Sequence, residues 1–129
     1  MNNALYQSIT EENIETLVRA FYPQVLDHTL LSPFFIERLG DDITNALWEE
    51  HLVLLTAFWR GVALGYEEYN GNPLQPHQDM TGLSPEAFKA WLSLFHKTVD
   101  TLYTPSTGQY FKDKSLDIAQ NFMRRLKIS

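Results

Sequence analysis

The feature that most constrains the fold is the spacing of apolar residues, which recur every three or four positions along most of the chain. This period matches the α-helix, whereas a half-buried strand would alternate at every second residue. It is clearest in the segment 44–64 and returns in segments that begin near Ser8, Ser84 and Thr107. The pattern predicts an all-α protein with about five or six helices. The stripe in 44–64 comprises Leu47, Trp48, His51, Leu52, Leu55, Phe58, Trp59 and Val62.

Short motifs predict where the helices begin and end. Ser8-Ile9-Thr10-Glu11 is typical of a capping box. Pro23 lies within the first periodic segment, and because proline lacks an N–H we expect it to kink or divide that helix. Ser32-Pro33 predicts the start of a short helix and Gly40 its end. Ser84-Pro85 predicts the start of another helix in the same way.

Segment 66–83 loses the helical period. It contains Gly71, Gly82, Pro73 and Pro76. A long irregular connection in a small domain is usually functional or disordered. We therefore expect an irregular loop here and look in it for functional residues.

Composition and charge exclude several classes of protein. The chain has 129 residues, a net charge of −6 and no cysteine. Its length predicts a single domain over residues 1–129. The negative charge repels phosphate backbones, so we expect no nucleic-acid partner. The absence of cysteine excludes disulfides, thiolate-bound iron and Cys-based zinc sites. Residues 1–10 lack the basic and apolar regions typical of a signal peptide, and no apolar run approaches about 18 residues. We therefore expect a cytoplasmic, monomeric protein without a membrane anchor.

The four histidines differ in their surroundings. His28 is expected at the surface, and His96, beside an apolar helix face, is expected to be solvent-facing or hydrogen-bonded. His51 lies on the aromatic stripe, where a single histidine is most often a core residue with one partner. His77 follows Pro76 in the irregular segment. Taken separately, none of the four indicates a functional site.

Two of these histidines together suggest a cofactor. His51 on one helix and His77 on a facing loop could line two sides of a flat, apolar group such as haem, whose iron takes a neutral imidazole as ligand. Tyr O–H, Trp N–H and His N–H groups are the donors that would stabilise a small ligand on its open face. Two alternatives stay open at this point. One is a cofactor-free helical interaction module, and the other is a non-haem metalloprotein using the two histidines with Glu49, Glu50 or Asp79.

A series of short segments, in order and spacing, carries a family resemblance. The chain resembles the truncated haemoglobins, specifically their third group, over about residues 14–122. The segments are Ala20-Phe21-Tyr22, Ser32-Pro33-Phe34-Phe35, Trp48-Glu49-Glu50-His51, Phe58-Trp59, Tyr69-Asn70-Gly71-Asn72-Pro73, Pro76-His77 and Trp91-Leu92-Ser93-Leu94-Phe95.

The resemblance implies a truncated globin fold, a shortened helical sandwich around haem b (iron protoporphyrin IX). It assigns His77 as the iron ligand and places Tyr22, His51 and Trp91 around the ligand on the opposite face. His51 is then a donor, a gate or a sixth iron ligand. Pro23, directly after Tyr22, departs from the expected pattern and could shift the tyrosine hydroxyl. Further implied cofactor contacts are Phe34, Phe35, Leu52, Leu55, Phe58, Trp59, Tyr69, Met80, Leu83, Phe88 and Phe95, in addition to Trp91.

The implied function is the binding of dioxygen or another small diatomic ligand. Two strong donors would slow ligand release, which favours nitric oxide or peroxide chemistry over oxygen transport. Such activity, of a weak peroxidase or nitric oxide dioxygenase type, would need a reductase that the sequence does not identify. Arg60, Tyr69 and Lys89 are candidates for holding the haem propionates.

Overall fold

The computed structural model describes residues 4–66, 77 and 82–128, and these ranges contain five α-helices. They contain no β-strand, and the single isolated bridge joins Tyr6 to Tyr103. The prediction of an all-α fold is therefore confirmed. The helices are α1 (Glu11–Leu26), α2 (Ser32–Leu39), α3 (Ala46–Leu64), α4 (Pro85–Leu102) and α5 (Pro105–Leu126).

The first helix begins with a capping box two residues further along than predicted. Thr10 Oγ1 accepts from the backbone N–H of Asn13 at 3.1 Å, and Asn13 Oδ1 accepts from that of Thr10 at 2.9 Å. The prediction that Ser8 caps this helix was wrong. The carbonyl oxygen of Ser8 instead accepts from Asn13 Nδ2 at 2.9 Å. The side-chain amide of Asn13 thus accepts from the backbone of Thr10 through its oxygen and donates to that of Ser8 through its nitrogen.

Pro23 lies inside α1 and does not divide it, so the helix runs unbroken to Leu26. An internal proline removes one backbone hydrogen bond and crowds the preceding turn. Phe21 and Val25, on either side of it, are fully buried. Their packing against the core offsets the loss and keeps the last turn helical.

Several other helix ends follow their predicted signals. Gly40 ends α2 with a φ of 83°, a left-handed value that glycine adopts at little cost. Ser84 caps α4 as expected, accepting from the backbone N–H of Ala87. The third helix begins two residues later than predicted, because Asn45 Oδ1 accepts from Trp48 N at 2.8 Å and so acts as the cap.

The helices pack with α1 at the centre of the fold. It contacts α2, α3 and α4, and α4 packs against α5. The residues of α1 that face inward, Ile14, Leu17, Phe21 and Val25, are fully buried. This arrangement leaves space between α2, α3, α4 and α5, and the candidate site lies there. Within the described ranges, no helix combines the length and apolarity needed to cross a membrane.

Candidate ligand cavity

A cavity of about 410 Å³ opens between the helices, and its described walls are almost entirely apolar. This volume lies in the range of small-molecule and cofactor sites. Every helix contributes to it, together with His77. The described lining residues are Tyr22, Leu31, Phe34, Phe35, Arg38, Leu39, His51, Leu54, Leu55, Phe58, Trp59, His77, Leu83, Ala87, Phe88, Trp91, Ser115, Ile118, Ala119 and Phe122.

His51 projects from α3 into a cluster of aromatic rings. Its ring centroid lies 5.7 Å from Tyr22, 5.5 Å from Trp48 and 6.3 Å from Phe35. Burial, with a smaller contribution from the charge of His77, lowers the pKa of His51 to about 4. The imidazole is therefore neutral near pH 7, with one nitrogen available as an acceptor.

The Nε2 atom of His51 is the one buried side-chain nitrogen or oxygen without a hydrogen-bond partner in the part of the chain that the structure describes. A buried polar atom without a partner is costly, by about 1–3 kcal/mol. Proteins retain such atoms where a ligand, an ion or water supplies the missing bond. Because His51 also lines the cavity, the occupant of the cavity is the natural partner.

Tyr22 and Trp91 form a second polar pair in the wall. Both side chains line the cavity, and the indole N–H of Trp91 can only donate. Burial raises the pKa of Tyr22 above its usual value, and the interaction with Trp91 offsets only part of that effect. The phenol therefore keeps its proton and remains a donor, although Pro23 directly follows it.

His77 approaches the cavity from another wall. Its ring lies 4.9 Å from Phe122 of α5 and 6.3 Å from Phe88 of α4, whereas His51 contacts rings on α1, α2 and α3. The backbone at His77 is helical, so the prediction of an irregular loop was wrong at this residue. Most of the remaining predicted loop lies outside the described residues, as do the predicted contacts Tyr69 and Met80.

Most of the remaining predicted contacts line the cavity, but two do not. Leu52 and Phe95 are buried in the core. Phe95 stacks on Trp59 and on Trp91, with centroid distances of 5.3 and 4.9 Å, and so supports two wall residues from behind. The predicted contacts that line the cavity are Phe34, Phe35, Leu55, Phe58, Trp59, Leu83, Phe88 and Trp91.

Sequence reasoning missed the contribution of α5 to the wall. Ser115, Ile118, Ala119 and Phe122 recur at helical spacing and line the cavity. Helical spacing indicates an inward face, but a core face and a cavity wall have the same pattern in sequence. The other missed lining residues are Leu31, Arg38, Leu39, Leu54 and Ala87.

The other histidines and the predicted cations lie elsewhere. His96 Nε2 is 3.0 Å from Ser115 Oγ, so it is satisfied as expected. Arg60 donates twice to the carbonyl of Glu11, at 2.9 and 3.2 Å, and Lys89 is exposed. Neither is among the residues that line the cavity. Residues 4–66, 77 and 82–128 hold no group of three His, Cys, Asp or Glu side chains suited to a metal ion.

Comparisons with known proteins agree with this architecture. The chain is 31% identical to a group 3 truncated haemoglobin of Campylobacter jejuni, over 94% of each protein. It is 32% identical to a group 2 truncated haemoglobin of Bacillus subtilis, over 76% of this chain and 70% of that protein. A crystal structure of the group III truncated haemoglobin from C. jejuni superposes with a TM-score of 0.88, at 31% identity and over 95% of both chains. The chain matches no protein-family profile.

Proposed function

The chain belongs to the truncated haemoglobin family, in its third group, and from this premise we propose that its cavity binds haem b together with dioxygen or another small diatomic ligand. The observation that carries the proposal is the pair of histidines on different walls of one apolar cavity. His77 lies against α4 and α5, and His51 presents a buried nitrogen without a partner in the described chain.

The residues present fit a flat, largely apolar cofactor. The described cavity wall has a single ionised side chain, and its aromatic rings come from several helices. Such walls exclude water from a buried ring system. The buried Nε2 of His51 is the polar atom that a cavity filled only by hydrocarbon would leave without a hydrogen bond.

His77 is the residue we assign as the iron ligand. Haem, when bound, would supply an iron atom able to bind the imidazole of His77 and a small ligand. A ligating imidazole must be neutral, and its other ring nitrogen usually donates to a carbonyl or carboxylate that fixes the tautomer. Packing against Phe122 and Phe88 restricts how the ring of His77 can turn.

Tyr22, Trp91 and His51 are the residues we assign to the small ligand. The phenol of Tyr22 keeps its proton, the indole of Trp91 donates, and the imidazole of His51 is neutral. A hydrogen bond to a charged acceptor contributes about 1.5–3 kcal/mol, and about 1.4 kcal/mol corresponds to a tenfold change in affinity. Two such donors favour slow release, which suits sequestration or redox chemistry served by a separate reductase better than oxygen transport.

The direct test is a haemin titration of the purified apoprotein. We expect a strong Soret band that saturates at one haemin per chain, and a rise in thermal stability, because a ligand that binds only the folded state stabilises it. His77→Ala should alter the spectrum of the ligated iron, whereas His96→Gln, which changes a satisfied histidine outside the cavity wall, should not. A colourless protein with no thermal shift would contradict the proposal and support a cofactor-free interaction module. A spectrum unchanged in His77→Ala would remove His77 from its role.

A further inference from the structure

Arg38 is the one side chain with a fixed charge among the described residues that line the cavity. It lies in the last turn of α2 and is exposed, so it stands at the solvent edge of an otherwise apolar wall. No Asp or Glu lines the described part of the cavity. The described wall therefore carries one positive and no negative side chain, although the whole chain carries a net charge of −6.

The guanidinium of Arg38 makes no hydrogen bond and no ion pair with the described part of the chain. Two other arginines, by contrast, are hydrogen-bonded to the rest of the protein. Arg19 binds Glu49 through two bonds of 2.8 and 3.0 Å, and Arg60 donates to the carbonyl of Glu11. The five N–H donors of Arg38 are thus available to a molecule in the cavity.

We propose that Arg38 binds a carboxylate of the cavity's occupant and so sets the orientation in which that occupant enters. This inference rests on the proposed function, in which the occupant is a porphyrin whose carboxylates are its propionates. A guanidinium matches a carboxylate in a planar, two-bond geometry. The apolar body of the ligand fills the cavity, and its acidic edge lies at Arg38 in contact with water. Arg60 and Lys89, the cations predicted from the sequence, do not line the cavity.

Arg38 also stands near the C-terminal end of α2, where a positive charge stabilises the helix dipole. That role would concern the stability of the fold and would not depend on the chemistry of the ligand. A comparison of ligands with and without carboxylates therefore distinguishes the effect of Arg38 on helix stability from its effect on ligand binding.

The test uses iron-free protoporphyrin IX and its dimethyl ester, which has the same ring but no ionisable carboxylates. Binding is measured by porphyrin fluorescence and by quenching of tryptophan emission, at low and at high salt. The proteins are the wild type, Arg38→Gln, Arg38→Lys, and the control Lys97→Gln, which removes one exposed charge outside the cavity wall. Because no iron is present, the result does not depend on His77 as a metal ligand.

We expect Arg38→Gln to weaken binding of the diacid by about two- to fivefold, as for an exposed ion pair, and to leave binding of the ester unchanged. High salt should reduce the difference, and Arg38→Lys should recover part of it. Equal losses for diacid and ester, or no loss for either, would overturn the assignment of Arg38. A wild-type protein that binds neither porphyrin would instead contradict the proposed function itself.

Discussion

The imidazole of His51 stands almost perpendicular to the phenol of Tyr22, at 86° and with 5.7 Å between ring centroids. The two side chains come from different helices, α3 and α1, and both line the same cavity. The pKa of His51 is lowered and that of Tyr22 is raised, in each case mainly by burial. Both groups are therefore uncharged over the whole neutral range, and their behaviour on acidification can be predicted.

The apoprotein should lose stability as the pH falls from about 6.5 to 4, in part through His51. The histidine has a pKa near 6.5 when unfolded and about 4 when folded, so below pH 6.5 the unfolded state binds more protons and stability decreases. The difference corresponds to about 3 kcal/mol by pH 4. Urea unfolding at a series of pH values checks this, with His51→Phe as the comparison. The slope in that window should be clearly smaller in the variant, and equal slopes would show that His51 is not the group responsible.

Trp91 and Tyr22 line the same cavity, and their effects on ligand release should be coupled. In the haem-loaded protein we expect Trp91→Phe to speed dioxygen dissociation by about tenfold or more, which is the loss of one charge-assisted donor. Because the two side chains interact, the effects of Trp91→Phe and Tyr22→Phe should not add up in the double variant. Stopped-flow dissociation rates for the four proteins measure the coupling. Strictly additive effects would mean that the two donors act independently.

Tyr103 should stabilise the start of α1 from the end of α4. Its hydroxyl donates to the backbone oxygen of Asn13 at 3.0 Å and to Asn13 Oδ1 at 2.8 Å, and the ring is fully buried. Tyr103→Phe keeps the ring and removes this buried donor, which should lower the free energy of unfolding by about 1 kcal/mol. Denaturant unfolding checks the change, with Tyr110→Phe as a comparison, since that hydroxyl donates to a single carbonyl, of Val62. A Tyr103→Phe protein as stable as the wild type would show that the bond contributes nothing net.

Gly108 should resist substitution although it lies in a helix. A Cβ at this position would stand 2.8 Å from Cγ1 of Val99, on α4, and valine cannot easily turn away within a helix. Gly108→Ala should therefore destabilise the protein by about 1–3 kcal/mol, despite the better helix propensity of alanine. Adding Val99→Ala removes the clash, so it should cost less in the Gly108→Ala background than in the wild type. Thermal unfolding of the four proteins decides this, and a stabilising Gly108→Ala would contradict the close packing.

The helical architecture was predictable from the sequence, because apolar spacing and helix-end signals act locally. Gly40 and Ser84 end and begin their helices as their residue types predict. The errors arose where tertiary contacts decide the outcome. Pro23 remains inside α1 because the residues beside it are buried, and the capping box uses Asn13 because its amide also reaches Ser8.

The candidate site was only partly predictable. The resemblance indicated Tyr22, His51, His77 and Trp91, and the structure brings all four to one cavity. No sequence pattern could separate Phe122, which lines the cavity, from Phe95, which lies in the core. Both recur at helical spacing on apolar faces, and only the packing of helices decides which ring meets the space. Arg38 was missed for a related reason, since a cation at the end of a helix is ordinary until its neighbours are known.

Phe95 lies between Trp59 and Trp91 in a stack of nearly parallel rings, tilted by only 17° and 18°. It is fully buried, while the two rings that it supports form part of the cavity wall. Variants of Phe95 that are selected only for thermal stability would therefore also be expected to differ in ligand kinetics. A redesign of this protein should therefore treat residue 95 as part of the site, although its side chain does not line the cavity.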